Sequence, residues 1–212
     1  IFSGIEAASV ALEPLGWEAV AFSEIEKFPS AGLAHHWPKI PNLGDMTKVD
    51  WKKYRGKVDL VCGGPPCQSF SVAGLREGLK DPRGNLTLSF LSAISEIKPS
   101  FVVLENVPGI ISDKTGAFGI LLNGFNDLGY AIECDILDAQ CFGVPQRRRR
   151  VFLLCHSVED GRKKRTPLFV STTSKMLTDL LLTLLAALCK PSNIGAGGSE
   201  WPSSISGDGL RV

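Results

Sequence analysis

The chain has 212 residues, of which 44% are hydrophobic and 21% are charged. This composition is typical of a globular protein and excludes a disordered, collagen-like or coiled-coil chain. The 23 Lys and Arg residues nearly balance the 22 Asp and Glu residues. The net charge of +1 therefore argues against a generally basic nucleic-acid-binding surface and leaves local basic patches open.

The most apolar run and the first residues of the chain carry two further expectations. The longest strongly apolar run, residues 180–189, is shorter than the roughly 20 residues that a membrane-spanning helix needs. We therefore expect no membrane contact. The chain begins at Ile1 inside an apolar stretch, so we expect a first strand that is cut there and a chain that is a fragment.

Short apolar runs alternate with helix-like stretches along residues 1–156. This alternation predicts an α/β fold with a doubly wound, mostly parallel sheet, in which ligands bind at the carboxyl ends of the strands. The predicted strands cover residues 1–3, 18–23, 58–62, 101–104, 131–137 and 151–155, and the predicted helices cover residues 7–15, 27–36, 86–97 and 116–128.

Residues 157–212 have a different character. A charged loop at residues 159–165 is followed by a possible helix at 176–188 and then by a Gly/Ser-rich stretch. We therefore predict a catalytic domain at residues 1–156 and a divergent tail at residues 157–212.

The six cysteines include no pair with the C-x-x-C spacing, so the sequence predicts no metal site. Cys62, Cys134 and Cys155 lie in apolar runs and are expected to be free thiols packed in the core. Cys67 differs, because it follows Gly63-Gly64-Pro65-Pro66, a segment that cannot form a regular strand or helix.

Three strand ends suggest an adenosine site without a phosphate cradle. Gly4 allows a tight turn between a strand and a helix, and Glu24 follows the second predicted strand, where an acidic side chain can accept from ribose hydroxyls. Asp45 could accept from an adenine amino group beside the apolar Met46. Each residue alone also fits a simple turn or a solvated loop.

Cys67 is the candidate nucleophile. The rigid turn before it holds a thiol at a strand end, and residues 69–85 fit a mobile loop over a site. A structural cysteine in a tight turn is the alternative.

Glu105 and an arginine run are the candidate partners of Cys67. Glu105 ends a buried strand, where a carboxyl group needs a partner or a proton, although a turn or capping role is equally open. Residues 146–150 read Gln-Arg-Arg-Arg-Arg, and strand alternation would place Arg148 and Arg150 on one side. A solvated basic patch is the alternative for this run.

These pieces, in this order, resemble the DNA (cytosine-5)-methyltransferase family. The resemblance covers residues 1–156 and implies a Rossmann-like, S-adenosylmethionine-dependent methyltransferase fold. The matching segments are Phe2-Ser3-Gly4-Ile5, Glu24, Gly44-Asp45-Met46-Thr47, Gly64-Pro65-Pro66-Cys67-Gln68-Ser69-Phe70-Ser71, Asp81-Pro82-Arg83-Gly84-Asn85-Leu86, Glu105-Asn106-Val107 and Gln146-Arg147-Arg148-Arg149-Arg150.

The resemblance implies methyl transfer from S-adenosylmethionine to C5 of a cytosine flipped out of double-stranded DNA. Cys67 would attack C6, and Glu105 would hold or protonate N3. Of Arg148 and Arg150, one would contact the cytosine O2 and the Glu105 region and the other the DNA backbone.

The resemblance also implies roles in cofactor binding. The Phe2 ring would stack on the adenine, Glu24 would bind the ribose, and Asp45 and Met46 would contact the base. The other residues that the resemblance places around the cofactor are Gly4, Ile5, Pro65 and Leu86.

Two departures from the family pattern keep two hypotheses open. Glu6-Ala7 stands where the family often has Gly-Gly, and neither a target-recognition region nor a closing Gly-Asn segment is recognisable. The first hypothesis is an active enzyme of restriction-modification, solitary or phage origin, in the cytoplasm of a bacterial or phage-infected cell. The second is a truncated, non-catalytic remnant, or half of a split enzyme that needs a complementing C-terminal chain. An RNA-methylating relative is a weaker third reading.

Overall fold

The computed structural model describes residues 1–66, 86–112, 116–143, 145–158 and 210–211. The predicted nucleophile Cys67, the predicted loop at 69–85 and the predicted helix at 176–188 lie outside these residues. Within the described part of the chain, no helix is long and apolar enough to cross a membrane.

Four α-helices occupy the positions that the sequence pattern indicates. They are α1 (Ala7–Leu12), α2 (Lys27–His36), α3 (Leu86–Ile97) and α4 (Ala117–Asp127). Helices α2 and α3 have the predicted bounds, whereas α1 ends three residues early. Its continuation, Glu13–Leu15, is a 3-10 turn, because Pro14 lacks an N–H and Gly16 ends the turn with a φ of 84°.

The main sheet has four strands in the order β2-β3-β5-β4: β2 (Leu60–Gly63), β3 (Phe101–Asn106), β4 (Tyr130–Asp138) and β5 (Arg149–Ser157). Strands β2 and β3 are parallel, whereas β5 is antiparallel to both β3 and β4. The short connection from β4 to β5 explains this, because a parallel pair needs a long crossover. A second, parallel pair joins β1 (Trp17–Glu18) to β6 (Leu210–Arg211). The α/β class is confirmed, with a mixed sheet.

Two strand predictions near the amino terminus were wrong. Residues 1–3 form no strand, because Phe2 has a left-handed φ of 57° and the backbone bonds on its two sides go to different segments. The Ile1 nitrogen donates to the Cys62 carbonyl at 2.8 Å, and the Ser3 nitrogen donates to the Ser23 carbonyl at 3.2 Å. Residues 18–23 form only the end of β1 and a single parallel bridge between Phe22 and Asn42. Without a continuous neighbouring ladder, an apolar run does not become a regular strand.

Apolar side chains cover both faces of the main sheet, as the continuous apolar strands predict. Val102 and Leu104 of β3 face one cluster, and Val103 faces the other. The first cluster also contains Phe90, Ile94, Leu121, Phe125, Val151 and Leu153, and the second contains Leu12, Leu60, Phe152 and Leu154.

The described cysteines are free thiols in different environments. Burial raises the pKa of Cys62 and of Cys155 to about 12, as expected for packed, unreactive thiols. The prediction that Cys134 is packed in the core was wrong. It is exposed, because β4 is an edge strand whose central residues face solvent.

Candidate active site

The turn after β2 lies directly against the end of β3. A side chain at Gly64 would come within 3.3 Å of both the carbonyl and a carboxyl oxygen of Glu105. At Gly63, a side chain would collide with the Phe90 ring. Close approach to the buried Phe90 ring thus favours glycine at position 63, and the tight contact at Gly64 shows that the turn that leads toward Cys67 lies beside Glu105.

Asn106 fastens this turn to the end of β3. Its Nδ2 donates to the Pro65 carbonyl at 3.0 Å, and its Oδ1 accepts from the Val107 nitrogen at 2.8 Å. The residue is only 5% exposed. Sequence reasoning gave Asn106 no role of its own, although an amide that follows a strand-end carboxylate and precedes a turn was a usable signal.

Glu105 and Arg150 form an ion pair across β3 and β5. The Arg150 Nε lies 2.7 Å from the Glu105 Oε1, and the two side chains are 23% and 31% exposed. The antiparallel register explains the meeting, because Glu105 is paired with Phe152, two residues beyond Arg150. The pair is partly open to solvent, so its remaining oxygen and N–H groups can reach a ligand.

The other arginines of the run are exposed. Arg148 precedes β5, so strand alternation does not apply to it. Its backbone is fixed to Asp138 instead, by a bond from the Arg148 nitrogen to the Asp138 Oδ1 at 3.1 Å. The structure thus brings Arg150, but not the Arg148 side chain, to Glu105.

Gly4 and Glu24, two of the predicted cofactor residues, are in direct contact. The Gly4 nitrogen donates to the Glu24 Oε2 at 2.8 Å, and the Glu26 nitrogen donates to the Oε1 at 2.8 Å. Gly4 has a φ of 54°, which glycine adopts without strain. Beside this contact, Ile5 and Ile25 are 71% and 69% exposed.

Asp45 and Met46 differ in orientation. The Asp45 Oδ1 accepts from the Thr47 nitrogen at 3.0 Å and from its hydroxyl at 2.7 Å, and these bonds lower the Asp45 pKa. The Met46 side chain is 4% exposed and packs in the core. The Met46 side chain is therefore not exposed at the surface, where the predicted contact with a base would require it.

The remaining predicted cofactor residues surround these groups at different depths. Phe2 is partly buried against the core, and Leu86 is the partly exposed first residue of α3. Pro65 is buried in the turn after β2.

Glu6 was missed as a structural residue. It adopts a left-handed φ of 60°, and its Oε1 accepts from the Ser9 nitrogen at 3.2 Å and from the Ser9 hydroxyl at 3.1 Å. The residue is 7% exposed. The N-terminus of α1 is therefore already capped by a carboxylate of the protein itself.

Fold and site together define a class of protein: an α/β protein of the Rossmann-like methyltransferase type, with its candidate ligand residues at strand ends. Among solved structures, the S. pombe Dnmt2 methyltransferase has the same fold, with a TM-score of 0.63 over 76% of this chain and 51% of that chain, at 23% identity. The chain belongs to the C-5 cytosine-specific DNA methylase family, whose model matches residues 1–188.

Two curated relatives illustrate the family. The first is 40% identical over 76% of this chain and 28% of its own length, and is named "DNA N-6-adenine-methyltransferase" of Escherichia phage P1. The second, "Type II methyltransferase M.Eco47II" of Escherichia coli, is 34% identical over 84% of this chain and 43% of its own length. The chain thus spans less than half the length of these relatives.

Proposed function

We propose that the protein transfers a methyl group from S-adenosylmethionine to C5 of a cytosine flipped out of double-stranded DNA, with Cys67 as the nucleophile. The observation that carries this proposal is the 2.7 Å ion pair between Glu105 and Arg150, beside the Gly64 turn that leads to Cys67. Family membership supports the DNA substrate.

The residues around Gly4 fit the adenosine part of this cofactor. Glu24 is only partly buried, and a carboxylate offers about four acceptor positions, of which the Gly4 and Glu26 nitrogens use two. Asp45 supplies a second carboxylate. Glu6 already caps α1, so a phosphate group would meet a negative charge there, whereas S-adenosylmethionine carries no phosphate. When bound, the cofactor would supply an electrophilic methyl group.

The covalent steps are assigned to Cys67 and Glu105. The Cys67 sulfur bonds to C6 of the flipped cytosine, and the displaced ring electrons reach N3, which takes a proton from Glu105. The resulting enamine lets C5 bond to the transferred methyl group. N3 then returns its proton to Glu105, and water takes the C5 proton as the sulfur–C6 bond breaks, which restores the aromatic ring and releases the Cys67 thiolate.

Arg150 and Arg148 have separate proposed roles. In the free protein the Arg150 Nε fixes one oxygen of Glu105, and in the complex its other N–H groups would donate to the cytosine O2. Arg148 is exposed beside the same edge and would contact a DNA phosphate. Asn106 holds the Pro65 carbonyl and so positions the backbone before Cys67.

The name of the phage P1 relative raises adenine N6 as a second candidate target. Methylation of an exocyclic amino group needs no covalent attack on the ring. The Gly-Gly-Pro-Pro turn held against Glu105 therefore favours the cytosine reading.

The test uses duplex DNA that contains 5-fluorocytosine, because fluorine at C5 prevents release of the nucleophile. With S-adenosylmethionine present, we expect an adduct that survives denaturing electrophoresis and is absent in C67S. We expect it only when the recognition region of a relative is added in trans, since none is recognisable in this chain. An adduct without that addition would contradict the remnant and split readings, and absence under both conditions would contradict the proposed function. On unmodified DNA, nucleoside mass spectrometry distinguishes 5-methylcytosine from N6-methyladenine.

A further inference from the structure

A strongly basic turn lies outside the candidate active site. Residues 52–57, named here the basic turn, contain Lys52, Lys53, Arg55 and Lys57 and no carboxylate, although the whole chain has a net charge of only +1. All four cations are exposed. Their backbone is compact, because the Arg55 nitrogen donates to the Lys52 carbonyl at 3.2 Å and the Lys57 nitrogen to the Tyr54 carbonyl at 3.0 Å.

The basic turn is fixed to the core by contacts that leave its lysines outside. Trp51, which precedes the turn, is 7% exposed, and its Nε1 donates to the Met46 carbonyl at 3.0 Å. The Tyr54 ring packs at 5.8 Å from the Trp51 ring. Arg55 donates from Nε to the Glu96 carbonyl at 2.8 Å, which ties the turn to the end of α3.

Lys98 extends this cationic surface. It lies two residues beyond Glu96, whose carbonyl binds Arg55, and it is exposed. The nearby carboxylates are Asp50, which pairs with Lys53 at 3.7 Å, together with Asp59 and Glu96. In the described residues, Lys52, Lys57 and Lys98 form no ion pair.

The basic turn lies near the beginnings of strands β2 and β3, whereas the candidate active site lies at their carboxyl ends. The turn precedes β2, and Lys98 precedes β3, which is parallel to β2. The bond from the Phe101 nitrogen to the Asp59 carbonyl, 2.9 Å long, brings these two strand beginnings together. Pro65 follows the other end of β2, and Glu105 is the penultimate residue of β3, roughly 15 Å away along strands that rise about 3.3 Å per residue.

We propose that the basic turn and Lys98 form a second contact surface for the phosphate backbone of duplex DNA. Phosphates are bound by cations alone, whereas a protein partner usually requires an apolar centre. In the described residues, no large apolar side chain of the basic turn is exposed. The choice of DNA as the polyanion rests on the proposed function. The surface would bind the DNA backbone independently of sequence, while the candidate active site at the carboxyl ends of the strands acts on the base.

The test measures how DNA affinity depends on salt. The full chain is titrated against a fluorescein-labelled random duplex by fluorescence anisotropy at several NaCl concentrations. For K52Q/K57Q we expect a slope of log K against log [NaCl] that is shallower by about 2, and affinity weaker by roughly tenfold or more at 0.1 M salt. The matched control K27Q/K39Q removes the same charge from exposed lysines outside the basic turn, and we expect no comparable change.

Three results would overturn the proposal. One is an equal loss in K52Q/K57Q and K27Q/K39Q, and another is wild-type affinity in K52Q/K57Q. The third is competition by poly-L-glutamate as strong as that by DNA at equal charge concentration, which would make the partner an acidic polypeptide. The circular-dichroism melting temperature confirms that each variant is folded.

Failure of the proposed function can be distinguished from failure of the second contact surface. If no Cys67 adduct forms but the salt slope still depends on Lys52 and Lys57, the second surface stands alone. If R147Q/R149Q weakens binding and K52Q/K57Q does not, only the edge that carries the candidate active site binds DNA, and the second surface is refuted.

Discussion

Replacement of Asn106 by alanine tests how the turn before Cys67 is held. Asn106 is 5% exposed and makes two short bonds, from Nδ2 to the Pro65 carbonyl at 3.0 Å and from the Val107 nitrogen to Oδ1 at 2.8 Å. N106A removes both partners and leaves a buried carbonyl and an N–H unsatisfied. At about 1–1.5 kcal/mol for each, the free energy of unfolding should fall by about 2–3 kcal/mol.

The measurement is thermal unfolding, followed by the rate of Cys67 alkylation. For a chain of this size, about 2–3 kcal/mol corresponds to a melting temperature lower by roughly 4–12 °C. Because the Pro65 carbonyl lies two residues before Cys67, we also expect the alkylation rate of Cys67 to change severalfold. Asn123 is exposed in α4, so N123A is the matched control and should be nearly neutral. A melting temperature in N106A within 1 °C of the wild type would refute this reasoning.

Substitutions at three further positions test other contacts. R150Q should abolish the 5-fluorocytosine adduct. It should lower the free energy of unfolding in urea by at most about 1 kcal/mol, because the ion pair between Arg150 and Glu105 is partly exposed. A larger loss would show that Arg150 has a structural role. E6A should lower the free energy of unfolding by about 1 kcal/mol, because it removes the cap of α1. E6G also removes the cap but relieves the left-handed φ of 60°, so its free energy of unfolding should stay close to that of the wild type. Equal losses in the two variants would contradict this. The hydrogen bonds from Thr47 lower the pKa of Asp45 in the folded protein. The stability that they give is therefore present above the pKa of Asp45 in the unfolded chain, and it is lost as the pH falls through the pKa of Asp45 in the folded protein. D45N should flatten the acid limb of the curve of stability against pH, and an unchanged limb would contradict the assignment.

Local patterns were sufficient to predict most of the helices and the buried strands. Helix α3 has the predicted bounds because its apolar spacing is clear, whereas α2 has the predicted bounds although Leu33 is its single buried residue. The failures lie where structure depends on a distant partner. Residues 1–3 are apolar enough for a strand, but the left-handed Phe2 divides their backbone bonds between Cys62 and Ser23. Cys134 lies in an apolar run on β4, which has one neighbouring strand among the described residues.

The candidate site was predictable in its residue types but not in its contacts. The family resemblance linked Glu105 with one of Arg148 and Arg150, yet only the antiparallel register of β3 and β5 shows that Arg150, rather than Arg148, forms the pair. No local pattern reports a register between strands separated by more than forty residues. Met46 shows a different limit of sequence analysis, because the motif that contains it does not reveal that its side chain turns into the core.

The departure at Glu6 changes meaning once its contacts are known. In the sequence, Glu6-Ala7 is only a departure from the Gly-Gly pair that the family often has. In the structure, the Oε1 of Glu6 accepts from the nitrogen and the hydroxyl of Ser9, so the carboxylate satisfies one orphan N–H group at the start of α1. A helix start that is already neutralised offers little to a pyrophosphate, and the acids that remain for a ligand are Glu24 and Asp45. The same substitution that departs from the family pattern therefore favours a phosphate-free nucleoside over a dinucleotide at this site.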